Sequence, residues 1–399
     1  MRHGLRFTTI ALTMFAWVPA SEAACKNSGR FGDWLADFRA EAAAKGISNR
    51  TIRSALGDVT YDPKVISRDR RQGVFAQSFL KFSARMANKN RLAHGLKRIK
   101  KYRKTFQQVE KRYGVPAPII AAFWGLETDY GANIGNMKTL RSLATLAYDC
   151  RRPELFRDHL FDALRIIERG DLTASQMIGA WAGELGQTQF LPSDYMESAV
   201  DFDGDGRRDL LRSVPDVLAS TANVLKKMGW KAGRPWLQEV RVPARLAWDQ
   251  ADLTIVHPRS QWVKWGVKGV GRQLKSDAME ASLLLPMGRN GPAFLAYENF
   301  RVYLDWNHSL VYSTTAAYFA TRLAGAPRIS RGRKEVTPLS VEQVKRMQNL
   351  LIRKGFDVGG ADGVVGAKTR DAIKKMQIKY GLPADSYPSA DLLRRLSAG

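Results

Sequence analysis

The spacing of apolar residues predicts that the chain begins with helices. Between residues 31 and 113, apolar side chains recur at intervals of three and four, as in the run FGDWLADFRAEAAAKG. Gly46 ends this run, and Ser48 suits the N-cap of a following short helix. Residues 115–230 keep the helical period and are interrupted by Gly and Pro. The first half of the chain is therefore predicted to be almost entirely helical.

The pattern changes after residue 230, where short runs favour strands. LTIVH at 253–257, SLLLPM at 282–287 and FRVYLDW at 300–306 lie between Gly and Pro turns, which is typical of strands. A helical pattern returns from about Ser309 to Leu323. Taken together, the large unit at 28–325 is predicted to be α+β and mostly helical.

A change of composition then separates a second unit. Residues 324–337 are rich in Gly, Pro, Ser and Arg and have no apolar period, so we assign a linker at 326–337. Residues 338–398 are long enough for a small module with three helices. The predicted helices of this module are 340–354, 367–380 and 388–396.

The first 23 residues have the features of an export signal. Arg2 and Arg6 precede the apolar run at 8–18, and Ser21-Glu22-Ala23 supplies a small-x-small cleavage site. The alternatives are an uncleaved membrane anchor, for which the apolar run is short, and a lipoprotein acylated at Cys25, which lacks the apolar residue expected before it. No later segment is apolar enough to cross a membrane. We expect residues 1–23 to be a signal peptide and the mature protein to be periplasmic.

The net charge of the chain favours a polyanionic partner. The formal charge is +25, and removal of residues 1–23, which carry two Arg and one Glu, leaves +24. The basic residues are scattered, as at 96–104 and 328–334, and no nucleic-acid-binding motif accompanies them. We therefore predict peptidoglycan or an anionic membrane surface as the partner, and no nucleic acid. Nothing in the sequence identifies a protein partner.

One carboxylate lies on an apolar helical stripe. In APIIAAFWGLETDYG at 117–131, a helix would place Glu127 on one face with Ile120, Phe123 and Trp124. Burial disfavours the charged form of a carboxyl and raises its pKa, as a general acid near neutral pH requires. The alternative is a Glu at a helix end that binds a backbone group or pairs with an Arg.

A second segment carries clustered amides. TASQMIGAWAGELGQTQFLPSDY at 173–195 predicts a helix that ends near Glu184, followed by a loop that begins at Gly186. Gln187, Thr188 and Gln189 in that loop are suited to hydrogen bonding with sugar hydroxyls. Taken one at a time, each is equally compatible with an ordinary surface residue.

Three motifs together resemble one enzyme family. FWGLETDYG, then GAWAGELGQTQFLPSDY and then VDFDGDGRRDL, within residues 28–325, resemble the lytic murein transglycosylase B family in order, spacing and residue type. The resemblance implies a lysozyme-like catalytic domain in which Glu127 is the only catalytic carboxylate. It implies cleavage between N-acetylmuramic acid and N-acetylglucosamine, with attack by the muramic acid's own 6-hydroxyl and a 1,6-anhydro product. Two carboxylates are more usual in glycosidases.

The same resemblance assigns three further residues and exposes one departure. Gln189 matches a substrate-binding glutamine of the family. Asn307 and Tyr312, in DWNHSLVY, match an asparagine and a tyrosine near the cleavage site. Some members have Ser where this chain has Ala180, so any help which that hydroxyl gives Glu127 must here come from elsewhere or be absent.

The C-terminal unit resembles the type 1 peptidoglycan-binding domain. Gln348, Asp362-Gly363, Thr369 and Gln377 match its pattern. Asp385-Ser386 stands where such modules usually have Asp-Gly. The resemblance implies peptidoglycan as the partner of this module.

An acidic stretch fits the first half of an EF-hand loop. Carboxylates fall at the spacing of calcium ligands, and Gly206 allows the sharp turn. Arg212 occupies the position of the bidentate Glu, so Asp216 would close the site from a longer loop. The equally weighted alternative is a metal-free acidic turn neutralised by arginines. We expect no required cofactor and a calcium ion as the candidate metal. Its candidate ligands are Asp201, Asp203, Asp205, the carbonyl of Arg207, and Asp216.

Two cysteines remain after the predicted cleavage, Cys25 and Cys150. In an oxidising compartment two cysteines most simply form one disulfide. Two free thiols are the alternative.

Three functions remain open on these residues. The first is a lytic transglycosylase. The second is a muramidase that uses water, with Glu184 or Asp129 as the second carboxylate. The third is a peptidoglycan-binding scaffold without activity, against which the intact Glu127 argues.

Overall fold

The computed structural model describes residues 29–70 and 77–398. Within these ranges the chain is mostly helical and carries two small antiparallel sheets, so the predicted α+β class is confirmed. The predicted signal peptide and Cys25 lie outside the described residues. None of the helices in the described ranges combines the length and the apolar character that a membrane crossing requires.

Fourteen α-helices lie in the described part of the large unit, and most of them pack around one hydrophobic core. In chain order they are α1 Phe31–Ala44, α2 Asn49–Leu56, α3 Pro63–Arg70, α4 Phe79–Met86, α5 Lys89–Lys101, α6 Arg103–Tyr113, α7 Ala117–Thr128, α8 Thr139–Tyr148, α9 Pro153–Glu168, α10 Pro192–Ser198, α11 Val214–Lys227, α12 Arg259–Lys264, α13 Phe300–Trp306 and α14 Leu310–Leu323. Helix α7 has nine buried residues out of twelve and packs against α14, α5, α6 and α11. The core therefore encloses the helix that carries Glu127.

A five-stranded antiparallel sheet forms a second layer with its own core. Its strand order is β4-β6-β7-β3-β5, and Val240, Trp262, Leu283 and Leu295 fill the core beneath it. A separate two-stranded ribbon pairs β1 with β2, and β1 contacts α8. The strands are β1 Met137–Lys138, β2 Ile178–Gly179, β3 Leu237–Arg241, β4 His257–Pro258, β5 Lys268–Gly269, β6 Glu280–Leu284 and β7 Ala293–Ala296.

Two of the three predicted strands need correction. The run at 300–306 is helix α13, because Phe300, Val302 and Tyr303 are buried together and a helix brings them onto one face of the main core. The run at 253–257 is mostly a turn, and only its last residue pairs as β4. The run at 282–287 overlaps β6.

The C-terminal module contains α15 Val341–Arg353, α16 Ala367–Lys379 and α17 Ala390–Ala398 around a small core. Two buried glutamines hold its two tight turns. The Gln348 side-chain carbonyl accepts from the Gly363 amide at 2.7 Å, and the Gln377 side-chain carbonyl accepts from the Ser386 amide at 2.9 Å. Ser386 adopts φ of 59°, so this position takes a left-handed conformation without the glycine usual there.

The segment between the two units is bound to the sheet layer. Residues 326–337 have no helix or strand, but the Ser330 amide donates to the Glu239 carboxylate at 2.9 Å. The Arg333 amide donates to the Asn290 carbonyl at 2.7 Å, and the Arg333 guanidinium donates to the Pro243 carbonyl at 2.9 Å. This segment therefore acts as a strap along the sheet layer.

Polar contacts also join the module itself to the sheet layer. Asp385 accepts from the Arg289 backbone amide at 3.0 Å and pairs with the Arg289 guanidinium at 3.3 Å. Lys374 pairs with Asp252 at 3.1 Å, and Arg370 donates to the Leu285 carbonyl at 3.1 Å. Burial lowers the pKa of the Arg370 guanidinium below its ordinary value.

Candidate active site

Helix α7 carries Glu127 in its last turn. Pro116 precedes the helix and Pro118 lies in its first turn, where a proline is tolerated because the first amides have no partner within the helix. After Thr128 the backbone of Asp129 and Tyr130 turns left-handed, with φ of 51° and 62°. Two consecutive non-glycine residues in this region are uncommon, and such conformations cluster at functional sites.

Two neutral donors bind the same oxygen of Glu127. The Trp306 indole N–H donates to Oε1 at 2.9 Å, and the Tyr312 hydroxyl also donates to Oε1. Among the described residues, none donates to Oε2. Glu127 is partly exposed, so the carboxyl has one bound oxygen and one oxygen available to a substrate.

The surroundings of Glu127 raise its pKa, which suits a general acid. Burial raises the pKa of Glu127 above its ordinary value, the hydrogen bonds from Tyr312 and Trp306 oppose that rise, and the nearby Glu184 adds to it. Burial also raises the pKa of Tyr312 well above its ordinary value, so its phenol remains a proton donor. Glu127 can therefore hold a proton at a pH where an exposed Glu would have lost it.

Trp306 is the site residue that sequence reasoning missed. It ends α13, and its ring lies 4.4 Å from that of Phe123 and 6.2 Å from that of Phe190, measured between centroids. The only signal in the sequence was its place next to Asn307 in DWNHSLVY. Both hydrogen bonds to Glu127 come from the segment 306–312, and Ala180 contributes no side-chain donor.

Asn307 and Tyr312 are brought to the site by one turn. Asn307 follows α13, and its side-chain carbonyl accepts from the Ser309 amide at 2.9 Å. The Ser309 hydroxyl then caps α14 by accepting from the Tyr312 amide at 3.3 Å. The turn therefore fixes Tyr312 against Glu127 and keeps Asn307 partly exposed beside Trp306.

The helix predicted to end near Glu184 is absent from the described chain, so that prediction was wrong, whereas the loop predicted from Gly186 is confirmed. Residues 177–191 contain β2 and a series of turns. Gly183 and Gly186 adopt φ of 98° and 79°, and a Cβ on Gly183 would lie 2.3 Å from Leu143. Such backbone angles exclude a helix near Glu184.

Only one of the three clustered polar residues remains accessible. Gln187 is buried, and its amide accepts from the Trp124 indole at 2.8 Å and donates to the Leu211 carbonyl at 2.9 Å. Thr188 is also buried. Gln189 is partly exposed and donates to the Gly186 carbonyl at 3.0 Å. The loop therefore uses Gln187 to hold α7, whereas the Gln189 side chain stays partly exposed and also donates to the Ile134 carbonyl at 3.3 Å.

Asp129 and Glu184, the two candidates for a second catalytic carboxylate, lie in different surroundings. Asp129 pairs with Arg91 at 2.6 Å, on a side chain that is 42% exposed. Glu184 is close enough to Glu127 to raise its pKa, but burial raises the pKa of Glu184 as well, opposed by its own backbone amide and that of Ala182. Oε2 of Glu184 is sealed from solvent and has no hydrogen-bond partner among the described residues. Asp129 is therefore held by a cation, and Glu184 has one oxygen that neither solvent nor a donor reaches.

The acidic loop gathers three of its predicted ligands. Asp201, Asp203 and Asp216 offer carboxylate oxygens within 4.8 Å of one another, which suits a hard cation. Asp205 is not in this group, and its carboxylate accepts from the Arg207 amide at 2.8 Å. The predicted contribution of the Arg207 carbonyl stays a prediction.

Asp216 also organises the loop through its backbone. It is fully buried and accepts amide protons from Phe202 at 2.7 Å and from Asp209 at 2.9 Å. Burial raises the pKa of Asp216 above its ordinary value, and the two amides oppose this. The residues present fit a calcium ion with an incomplete set of EF-hand ligands.

The predicted disulfide involves a residue outside the described ranges. Cys150 follows α8, whereas Cys25 is not among the described residues, so the pairing stays a prediction. The Tyr148 hydroxyl donates to the Gly29 carbonyl at 2.6 Å. The described chain therefore begins close to the turn that carries Cys150.

Comparison with known families gives a match to both units. The transglycosylase SLT domain family matches residues 30–321, and a peptidoglycan binding domain family matches residues 340–396. The resemblance inferred from the sequence motifs is confirmed by these matches.

Three relatives illustrate the similarity. Membrane-bound lytic murein transglycosylase B of Escherichia coli is 32% identical over 244 residues, which cover 59% of this chain and 64% of the relative's length. SltB3 of Pseudomonas aeruginosa, solved in complex with NAG-anhNAM-pentapeptide, is 44% identical with a TM-score of 0.85, covering 92% of this chain and 99% of that chain. Slt35 of Escherichia coli, solved in complex with calcium, is 25% identical with a TM-score of 0.62, covering 73% and 92%.

The first of these relatives extends beyond the aligned region, since the chain spans 64% of its length, whereas the SltB3 structure is covered almost completely. The domain match extends over most of the chain and includes α7, the loop at 177–191 and α14. The chain belongs to the transglycosylase SLT family.

Proposed function

We propose that this protein is a lytic transglycosylase that cleaves the β-1,4 bond between N-acetylmuramic acid and N-acetylglucosamine in peptidoglycan. The observation that carries the proposal is the environment of Glu127, a partly buried carboxyl with a raised pKa, one bound oxygen and one open oxygen. Membership of the SLT family and the peptide-linked sugar complex of the relative SltB3 support the same activity.

Glu127 acts first as the acid. Its Oε2 proton passes to the glycosidic oxygen while the bond from that oxygen to C1 of the muramic acid breaks. Glu127 then acts as the base and takes the proton of the 6-hydroxyl as the new bond from O6 to C1 forms. Glu127 ends protonated again, and the products are a 1,6-anhydro-muramic end and a free 4-hydroxyl.

Attack by the sugar's own hydroxyl is supported by the anhydro-sugar complex of the relative SltB3 and by the surroundings of the two rival carboxylates. Asp129 is paired with Arg91, and the Oε2 atom of Glu184 is sealed from solvent. A muramidase would need one of them as a nucleophile or base. A transglycosylase needs neither, because its substrate supplies the attacking oxygen.

Three side chains are proposed to hold the substrate near Glu127. Gln189 and Asn307 each have polar atoms on partly exposed side chains beside the site. Tyr312 orients Glu127 and lies against the same space. Their roles rest on the family resemblance together with these positions.

The surrounding parts are proposed to place the enzyme on its substrate. The module at 338–398 binds peptidoglycan, and the positive charge of the chain suits the carboxylates of that polymer. Residues 1–23 direct export to the periplasm, where Cys25 and Cys150 form a disulfide. The proximity of Gly29 to Tyr148 supports this pairing, because Cys25 is only four residues before Gly29.

Calcium is proposed as a structural ion in the loop from Asp201 to Asp216, without a part in the reaction. The grouping of three carboxylates and the calcium complex of the relative Slt35 support it.

Product analysis tests the proposed activity. Purified sacculi digested with the protein should release muropeptides whose muramic ends have the mass of the anhydro form, lower by one water than the hydrolytic form. Chiefly reducing ends would replace the transglycosylase with the muramidase.

A further inference from the structure

Both hydrogen bonds to Glu127 reach the same oxygen, and this determines where the acid's proton resides. An indole N–H can only donate, and the Tyr312 phenol keeps its proton because burial raises its pKa. Oε1 therefore accepts from Trp306 and from Tyr312. Oε2 has no such donor among the described residues, so the acidic proton is best placed there.

We infer that Trp306 is a positioning residue that keeps the proton of Glu127 on Oε2, the oxygen that faces the substrate. This inference rests on the proposed function of Glu127 as acid and base. Trp306 transfers no proton. Its N–H holds Oε1 in place while Oε2 loses a proton and then regains one.

The surroundings of Trp306 make its indole a rigid support. Its ring packs against Phe123, which lies one turn before Glu127 on α7, and against Phe190 in the loop that carries Gln189. Immediately after it, the Asn307 backbone carbonyl accepts from the Ser313 hydroxyl at 2.6 Å. The indole thus contacts the catalytic helix twice, through a ring and through a hydrogen bond.

The hydrogen bond also affects the acid strength of Glu127. A donor to a carboxylate stabilises the charged form and lowers the pKa, which here opposes the effect of burial. Loss of the N–H should therefore raise the pKa of Glu127 further. It should also slow the reaction, because the carboxylate formed after the first proton transfer loses a donor.

Trp306→Phe removes the N–H and keeps an aromatic ring. We expect kcat on soluble glycans to fall roughly tenfold or more with KM little changed, in line with the loss of one preorganised donor. Because protonated Glu127 is the active acid, the alkaline limb of the rate profile should move to higher pH. Trp236→Phe is the matched control, since the Trp236 indole donates at 3.0 Å to the Ala317 carbonyl, away from Glu127.

A spectroscopic measurement keeps the inference testable if Trp306→Phe does not fold. In the wild-type protein, the indole ¹⁵N–¹H signal of Trp306 should titrate with Glu127, and Glu127→Gln should abolish that titration. A signal that stays constant across the pH range in which activity changes would overturn the inference, as would a Trp306→Phe rate profile that superimposes on the wild-type profile. Reducing rather than anhydro ends from the wild type would reject the proposed function, whereas the indole titration would still decide the role of Trp306.

Discussion

The catalytic region and the C-terminal module use their polar side chains in different ways. In the catalytic region, Glu127 is held by donors 179 and 185 residues away in sequence, at the edge of a large hydrophobic core. In the module, buried glutamines hold local turns, and Arg370, Lys374 and Asp385 face the neighbouring sheet layer. The chemistry therefore depends on long-range packing, whereas attachment of the module depends on a few polar contacts. The two should be separable by substitution.

The largest expected effect is the loss of chemistry without loss of binding. Glu127→Gln removes the transferable proton and keeps the size of the side chain, so lysis of sacculi should fall by about 10³-fold or more. Co-sedimentation with sacculi should be unchanged, because the module is untouched. Lysis close to the wild-type rate would reject Glu127 as the acid.

Removal of the module should have the opposite outcome. A chain ending at Pro338 keeps the strap contacts of Ser330 and Arg333 with the sheet layer. Binding to sacculi should weaken about tenfold, because a second attachment site raises the effective concentration of substrate. Cleavage of short soluble glycans should be retained. A truncated chain without a cooperative melting transition would contradict the separation of the two regions.

A milder effect is expected from a change at Glu184, the partly buried carboxyl near Glu127. Glu184→Gln keeps the hydrogen-bonding shape but removes a group that raises the pKa of Glu127. Lysis should fall less than about tenfold, and the alkaline limb of the rate profile should move to lower pH because Glu127 then loses its proton earlier. A loss as severe as that of Glu127→Gln would make Glu184 a catalytic partner.

The smallest effect concerns the thermal stability of the full-length protein. Calcium should raise its melting temperature by a few degrees, about 5 °C, because an ion that binds only the folded loop stabilises the fold. Asp203→Ala should remove this gain. Asp391→Ala, which alters an exposed carboxylate in the module, is the matched control and should preserve it. Equal melting with calcium and with chelator would leave a metal-free turn.

The local spacing of apolar residues predicted the helices that carry the site residues, but it did not predict the side-chain contacts between them. The helix that carries Glu127 and the helix that carries Tyr312 follow from apolar spacing within a dozen residues. The hydrogen bond from Trp306 to Glu127 could not be predicted from local spacing, because the two residues are 179 positions apart in the sequence. The loop near Glu184 was mistaken for a helix because its apolar spacing is helical, whereas its glycines require left-handed angles.

Dependence on distant contacts also explains why a strand was wrongly predicted at 300–306, where the structure has helix α13. Side chains such as Val302 and Tyr303 favour strands in general, but the main core accepts them on one face of α13. Burial against distant helices therefore decided the conformation. The module was easier to predict, since its helices and turns are stabilised by residues close in sequence.

The central claim is that Glu127 works alone and that the attacking oxygen belongs to the sugar. Digestion of sacculi in water enriched in ¹⁸O tests this directly, because a hydrolytic product takes one oxygen from the solvent and an anhydro product takes none. The account predicts released muramic ends with the anhydro mass and no ¹⁸O. Ends that carry the mass of one added labelled water would contradict it and would show that water attacks C1.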